Sequence, residues 1–253
     1  MSDSDVSGLT NDFSNCKMNV SSDLQISEGA LVIQEYGSII GCPMTTVAKA
    51  LVLYHRFQRL VEGHEDDLIC VPAAVLNISI QLCDDDIKAE KIVLVFYHKN
   101  MDKKVHEDSN REDPPADKIK QMIKSLIKVV YFVCRVLSFT LDCEIAHKYV
   151  FGYLSKFQHV AKFSDSEIVG FSTTAAKLLS TFYLCQRCIQ YEPQAISAAC
   201  MFFLYEYFDM NISKLLPIMN KEFGEYAEPE KVWNILDDML SVSLISTKIA
   251  LAV

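Results

Sequence analysis

The segment Tyr131–Lys156, YFVCRVLSFTLDCEIAHKYVFGYLSK, constrains most strongly what this chain can fold into. Its pattern predicts one apolar helix, a break, and a second helix that opens on His147. The first helix is hydrophobic on nearly every side, so it needs neighbours all around it, as the central helix of a bundle does. The segment therefore predicts a helical bundle.

The composition favours long helices over strands. Among 253 residues there are eight glycines and seven prolines, whereas an all-β chain needs a turn roughly every 8–12 residues. The net charge of −9 disfavours a nucleic-acid-binding surface, because neutralising phosphates requires clustered Lys and Arg. We therefore expect an all-α protein that binds no nucleic acid.

The chain has the features of a protein of the nucleus or cytoplasm. Its first 22 residues lack the apolar core of a secretory signal. No apolar run reaches the ~18 residues of a membrane span, so we expect no membrane association. The nine cysteines are odd in number and lie mostly in apolar helical segments, so we expect them to be reduced. Cys185 and Cys188 form a C-x-x-C pair, but no second pair stands at zinc-site spacing.

The helices are expected in two sets behind a disordered tail, residues 1–22, which is rich in Ser, Asp and Asn. Ser22 or Asp23 is a plausible N-cap for the first helix. The expected helices of the first set cover residues 23–40, 45–63, 67–82, 87–100 and 117–139, with a further helix at 143–159. The charged, proline-bearing residues 101–116 predict an exposed loop.

The second set repeats the plan of the first. Ser164 and Glu167 predict a capping box, Pro193 starts a new apolar helix, and residues 211–223 and 228–244 predict two more. Residues 73–82 and 196–208 are both rich in small side chains and predict a central helix in each set. We therefore expect two tandem helical bundles, with domains at 23–160 and 161–253.

The second, third and fifth expected helices, together with the segment after the fifth, resemble the cyclin box. RVLSF at 135–139 is followed eight residues later by HKYVFGYL, and both are similar to the transcription-type cyclins Q, L and K. The segments PMTTVAKALVLYHRF and VPAAVLNISIQLCDD are similar to the second and third helices of that box. The resemblance covers roughly residues 23–245 and is strongest over 43–156. It implies two tandem cyclin-like five-helix bundles, of which the second is divergent.

The resemblance also implies a binding site. In cyclins the third and fifth helices receive the regulatory helix of a cyclin-dependent kinase, with a Lys and a Glu as a polar pair. Gln81 and Val130 stand at those two positions here, and Cys83-Asp84 replaces a pair of glutamates. Losing both charges together can be close to neutral, whereas losing one is costly. The implied kinase-binding residues are Gln81, Leu82, Asp84, Val130, Cys134 and Leu141.

No pattern of catalytic or metal-ligating residues accompanies the resemblance, so we expect no enzyme activity and no cofactor. His55, His98 and His147 each lack a second ligand at helical spacing. Asp84-Asp85-Asp86 lacks the spacing of a calcium loop, so a solvated helix junction is expected. Lys120, Lys124 and Lys128 share one helix face, which suits either a solvated surface or an acidic partner.

The leading hypothesis is a regulatory subunit of a cyclin-dependent kinase, acting in transcription or the cell cycle. The alternative is a kinase-independent scaffold that retains the cyclin fold for protein–protein assembly in transcription, the cell cycle or meiosis. Gln81 and Val130 permit this alternative because they remove the polar pair of the kinase site. A cyclin fold that contacts DNA is disfavoured by the acidic charge.

Overall fold

The computed structural model describes residues 24–61, 70–102, 113–161, 163–208, 221 and 223–252. These residues form nine α-helices, two short 3₁₀ helices and no β-strand, which confirms the all-α prediction for this part of the chain. The expected disordered tail, most of the expected loop at 101–116 and most of the helix expected at 211–223 lie outside the described residues. Within them, no helix combines the length and hydropathy needed to cross a membrane.

The helices follow one another with short connections. In chain order they are α1 (Glu28–Ile40), α2 (Met44–Leu60), α3 (Val71–Leu82), α4 (Ala89–Asp102), α5 (Ala116–Val136), α6 (Ala146–Ala161), α7 (Asp165–Phe182), α8 (Pro193–Tyr207) and α9 (Pro229–Ala252). The 3₁₀ helices are Gln186–Gln190 and Gly224–Ala227.

Helix capping accounts for several boundaries. Helix α1 begins at Glu28, later than predicted, because the Ser27 hydroxyl accepts a hydrogen bond from the Ala30 amide at 3.3 Å. This contact satisfies one of the free N–H groups of a first helical turn. The predicted capping box at the start of α7 is confirmed, with Ser164 and Glu167 bonding each other's backbone amides. Helix α9 continues to Ala252, past the predicted end at residue 244.

One small-residue helix is central in each half, as predicted. Helix α3 packs against α1, α2, α4 and α5, and every residue of Val71–Leu76 is buried. Helix α8 packs against α6, α7 and α9 around buried Ala195–Met201. Small side chains allow neighbouring helix backbones to approach closely, which explains why these sequences occupy the centres. Helix α6 packs on α7 and α8, and the division of the chain at residue 160 stays a prediction.

Helix α5 corrects the expectation of an all-round buried helix. Only one of its faces is buried, whereas Tyr131 and Phe132 are 62% and 50% exposed. The apolar run Tyr131–Val136 was too short to reveal the amphipathic pattern of the whole helix, because the lysines that mark its outer face lie N-terminal to that run.

Three helices of the first half end in the same left-handed turn. Gly41, Asp84 and Ser138 have φ of 81°, 53° and 50° after α1, α3 and α5. In each case the next residue's amide bonds to a carbonyl five residues back, as Phe139 N does to Cys134 O at 2.8 Å. This is the Schellman motif, in which glycine is the residue with the least backbone strain. It ends α5 at Val136, three residues before the predicted end.

Tyr183 connects α2 to α6. Its backbone carbonyl accepts a hydrogen bond from His55 Nε2 of α2 at 2.9 Å, and its phenol oxygen accepts one from the Ala146 amide at 2.9 Å. Its ring stacks on that of His147 with centroids 5.5 Å apart. His55 and His147 are both buried, and neither His147 ring nitrogen has a hydrogen-bond partner among the described residues.

The left-handed turn after α5 gives a stability prediction. Ser138→Gly should raise the free energy of unfolding by about 1 kcal/mol, because it removes the steric cost of a side chain at positive φ. The matched control is Gly41→Ala at the equivalent position after α1, which should lower it by a similar amount. Urea unfolding followed by circular dichroism measures both, and a destabilised Ser138→Gly variant would contradict the assignment.

The buried histidines give a pH prediction. Burial lowers the pKa of both His55 and His147 to about 4 from the ordinary 6.5. The unfolded chain therefore binds these protons at a higher pH than the folded one, so stability is complete above about pH 7 and falls as the pH drops toward 4. As the pH falls from 7 to 5, each histidine should lower the free energy of unfolding by about 2 kcal/mol.

His147→Phe tests this linkage. The variant keeps an aromatic ring against Tyr183 and removes two nitrogens that form no hydrogen bond within the described part of the chain, so stability at pH 7 should change little. Between pH 7 and pH 5 it should lose about 2 kcal/mol less than the unmodified chain. Equal losses for the two proteins in urea titrations would show that His147 does not carry the effect.

Candidate protein-binding site on helices α3 and α5

The last turn of α3 supplies one side of the candidate site. Pro72 lies in the first turn of α3, where the missing N–H costs nothing, and the helix then runs through the core. At its end the packing stops, so Gln81 is exposed and Leu82 is 43% exposed. An exposed leucine at the end of a core helix is an anchor available to a partner.

Helix α5 supplies the other side because it packs against α3. Leu126, Val133 and Leu137 recur at helical spacing and are buried. Beside this buried row, Val130 is half-buried against the core and Cys134 is only 7% exposed. At the predicted site, α5 therefore has buried side chains on one side and exposed side chains on the other.

The six predicted residues fall into three groups. Gln81, Leu82 and Asp84 lie together at the end of α3, Val130 and Cys134 lie one turn apart on α5, and Leu141 follows the turn after α5, half-buried against the core.

Gln81 and Val130 stand where the cyclin resemblance implies a Lys and a Glu, and both are neutral. Gln81 is exposed, so its amide is solvated and needs no charged partner. Val130 packs on the core, where a lone carboxylate would be poorly solvated. Neither position therefore holds an uncompensated charge, and Val130 offers apolar contact to a partner.

Asp84 has a backbone role at the site. It holds the left-handed position that ends α3, and the Asp85 amide bonds to the Ile80 carbonyl at 3.1 Å. The next carboxylate, Asp85, accepts a hydrogen bond from Thr46 Oγ1 of α2 at 2.6 Å. The acidic junction was expected to be merely solvated, but its middle residue fixes the end of α3 to α2.

Sequence reasoning missed the large exposed apolar side chains on α5 and just after it. Ile127, Tyr131, Phe132 and Phe139 are 43%, 62%, 50% and 63% exposed. Phe132 also contacts Phe57 of α2 edge to face, with ring centroids 5.8 Å apart. A helical projection of residues 116–136 as a whole would have placed Ile127, Tyr131 and Phe132 outside the buried row, whereas Phe139 lies in the turn after the helix. Large exposed apolar side chains of this kind are typical of surfaces that bind a partner.

The described residues contain no group of three or more His, Cys, Asp or Glu side chains that could hold a metal ion. Burial raises the pKa of the Cys134 thiol and raises that of Cys188 well above its usual value. Buried, protonated thiols are poor nucleophiles and poor ligands. What the α3–α5 surface offers chemically is apolar contact and, along the outer side of α5, positive charge.

No model of a known protein family matches this sequence.

The cysteines give a prediction that tests the packing of α5. Iodoacetamide at pH 8 should modify exposed Cys70 in the folded protein, while buried Cys134 and Cys200 should react only on unfolding. The reason is that burial excludes the reagent and raises both thiol pKa values, that of Cys200 to about 12. Time-resolved peptide mass spectrometry measures the rates, and rapid labelling of Cys134 in the native protein would contradict the packing of α5 on α3.

Proposed function

We propose that this chain is a cyclin-like regulatory subunit that binds and activates a cyclin-dependent protein kinase through α3 and α5. The observation that carries the proposal is the resemblance of RVLSF and HKYVFGYL to the cyclin box. The all-α fold, with small-residue α3 at the centre of its first half, is compatible with that resemblance.

The exposed apolar side chains on α3 and α5 support a docked helix. A helix that lies in a groove gains most of its binding free energy from a few buried apolar or aromatic anchors. Leu82, Phe132 and Phe139 are exposed anchors of this type. Charged groups would then set the choice of partner more than the affinity.

The proposed mechanism is a shift of the kinase's conformational equilibrium. Protein kinases require an internal Lys–Glu ion pair, whose Glu is carried on their regulatory helix. A subunit that binds only the inward position of that helix raises the population of the active state by its difference in affinity for the two states. In this mechanism the chain contributes no catalytic side chain.

A kinase-independent scaffold is the second candidate, and Gln81 with Val130 favours it. A kinase that recognised the family's polar pair would find no charge at either position. A repurposed surface would still use the same exposed apolar residues with a different protein. The two candidates therefore differ in the identity of the partner and share the location of the site.

Leu82→Glu tests the proposal, since Leu82 is exposed enough for the variant to fold. The full-length chain and the variant are each used to capture partners from cells, and co-purifying proteins are identified and quantified by mass spectrometry. We expect a near-stoichiometric cyclin-dependent kinase, reduced at least tenfold by Leu82→Glu, because the change places an unpaired carboxylate in an apolar interface. Cys134→Glu is less suitable because burial of Cys134 makes unfolding the expected result.

Val169→Glu is the matched control. Val169 lies on α7 and is 64% exposed, so the substitution makes the same chemical change away from the site. It should leave the kinase bound. A reproducible set of partners that contains no kinase would overturn the regulatory-subunit proposal and favour the scaffold. The double variant Gln81→Lys/Val130→Glu refines this result, because stronger kinase binding would identify a weakened kinase site.

A further inference from the structure

The outer face of α5 carries a straight row of exposed cations. Lys124, Lys128, Tyr131 and Arg135 stand at i, i+4, i+7 and i+11, so they lie along one side of the helix over about 16 Å. All four side chains are exposed. Lys120 extends the row by one turn at its N-terminal end. We call these five residues the basic stripe.

The cations of the basic stripe are poorly compensated. Lys120 approaches Asp117 at 3.7 Å, in a pair that is exposed on both sides. No carboxylate of the described residues forms an ion pair with Lys124, Lys128 or Arg135. Like charges at i and i+4 on a helix repel each other. The stripe therefore concentrates positive charge on a protein whose net charge is −9.

Apolar surface adjoins this charge. Tyr131, within the stripe, is 62% exposed, and Ile127 beside it is 43% exposed. An ordinary solvated helix face carries alternating charges and few large apolar groups. Cations interleaved with an exposed aromatic and an exposed aliphatic side chain match a partner that is acidic and also carries apolar residues.

We propose that the basic stripe docks an acidic amphipathic helical segment of another protein. The length favours a helix of three to four turns, whose Glu or Asp residues at i and i+4 would face Lys124 and Lys128. Its apolar side chains would cover Ile127 and Tyr131. A nucleic acid fits less well, because a polyanion extending beyond the stripe meets an otherwise acidic protein.

The protein that carries the acidic segment need not be a kinase. Per-residue rotation of 100° places the basic stripe on the outer side of α5, and Val130 and Cys134 on the side that approaches the core. The stripe can therefore be occupied whether α3 and α5 bind a kinase or a different protein.

The test uses a fluorescein-labelled 18-residue peptide with Glu at i and i+4 on one face and Leu beside them. Its affinity for the full-length chain is measured by fluorescence anisotropy at 50 and 300 mM NaCl. We expect binding that weakens at least tenfold at the higher salt, and a peptide with Gln in place of every Glu should bind at least tenfold more weakly.

The decisive variant is Lys124→Glu/Lys128→Glu, which should reduce the affinity for the acidic peptide at least tenfold. Lys177→Glu/Lys248→Glu is its control, because it changes two exposed lysines on α7 and α9 and alters the net charge equally. The control should keep the affinity within about twofold. Equal losses in both variants would overturn the proposal by showing that only net charge matters.

Other occupants give different outcomes. Tighter binding to a 20-nucleotide single-stranded RNA or to phosphatidylserine vesicles than to the peptide would overturn the proposal. So would salt-sensitive self-association in sedimentation velocity that Lys124→Glu/Lys128→Glu abolishes, because a second copy would then be the occupant. Kinase capture that is lost in Leu82→Glu but kept in Lys124→Glu/Lys128→Glu would separate the kinase site from the basic stripe.

Discussion

The contacts of Tyr183 connect α2 to α6. Its backbone oxygen, its phenol oxygen and its ring each contact a different group, namely His55, the Ala146 amide and His147. The Ser197 hydroxyl donates to the Ala146 carbonyl at 3.1 Å, which connects the same point to α8. A buried junction of this kind positions α2, α6 and α8 at once, so the relative placement of these three helices depends on it.

The proposed site depends on how α3 and α5 are packed. Helix α3 is enclosed by four other helices and cannot shift without moving them, so its last turn presents Leu82 from a rigid base. Helix α5 is less enclosed, and one of its faces remains open to solvent along its whole length. A fixed anchor on one helix and an open face on its neighbour form a surface on which another helix can lie.

Much of this fold could be predicted from the sequence, because hydrophobic periodicity and the scarcity of glycine and proline select helices directly. The small-residue segments marked α3 and α8 as central, and Ser164 with Glu167 marked the start of α7. The exposed faces of the helices were harder to predict, because the side of α5 that is buried depends on which helices surround it. The left-handed turn at Ser138 was not predictable either, since serine seldom adopts positive φ and nothing local requires it.

The turn at Ser138 and Phe139 also affects how the molecule fluctuates. Two consecutive non-glycine residues at positive φ store conformational free energy at the end of α5, while the amide of Phe139 is held by one hydrogen bond and its ring is largely solvated. Local opening requires the least free energy where few contacts oppose it. The backbone amides of this turn should therefore be among the first to exchange with solvent deuterium. A protein that covers Phe139 must hold this turn closed. The free energy of its binding is therefore coupled to the ordering of the last turn of α5.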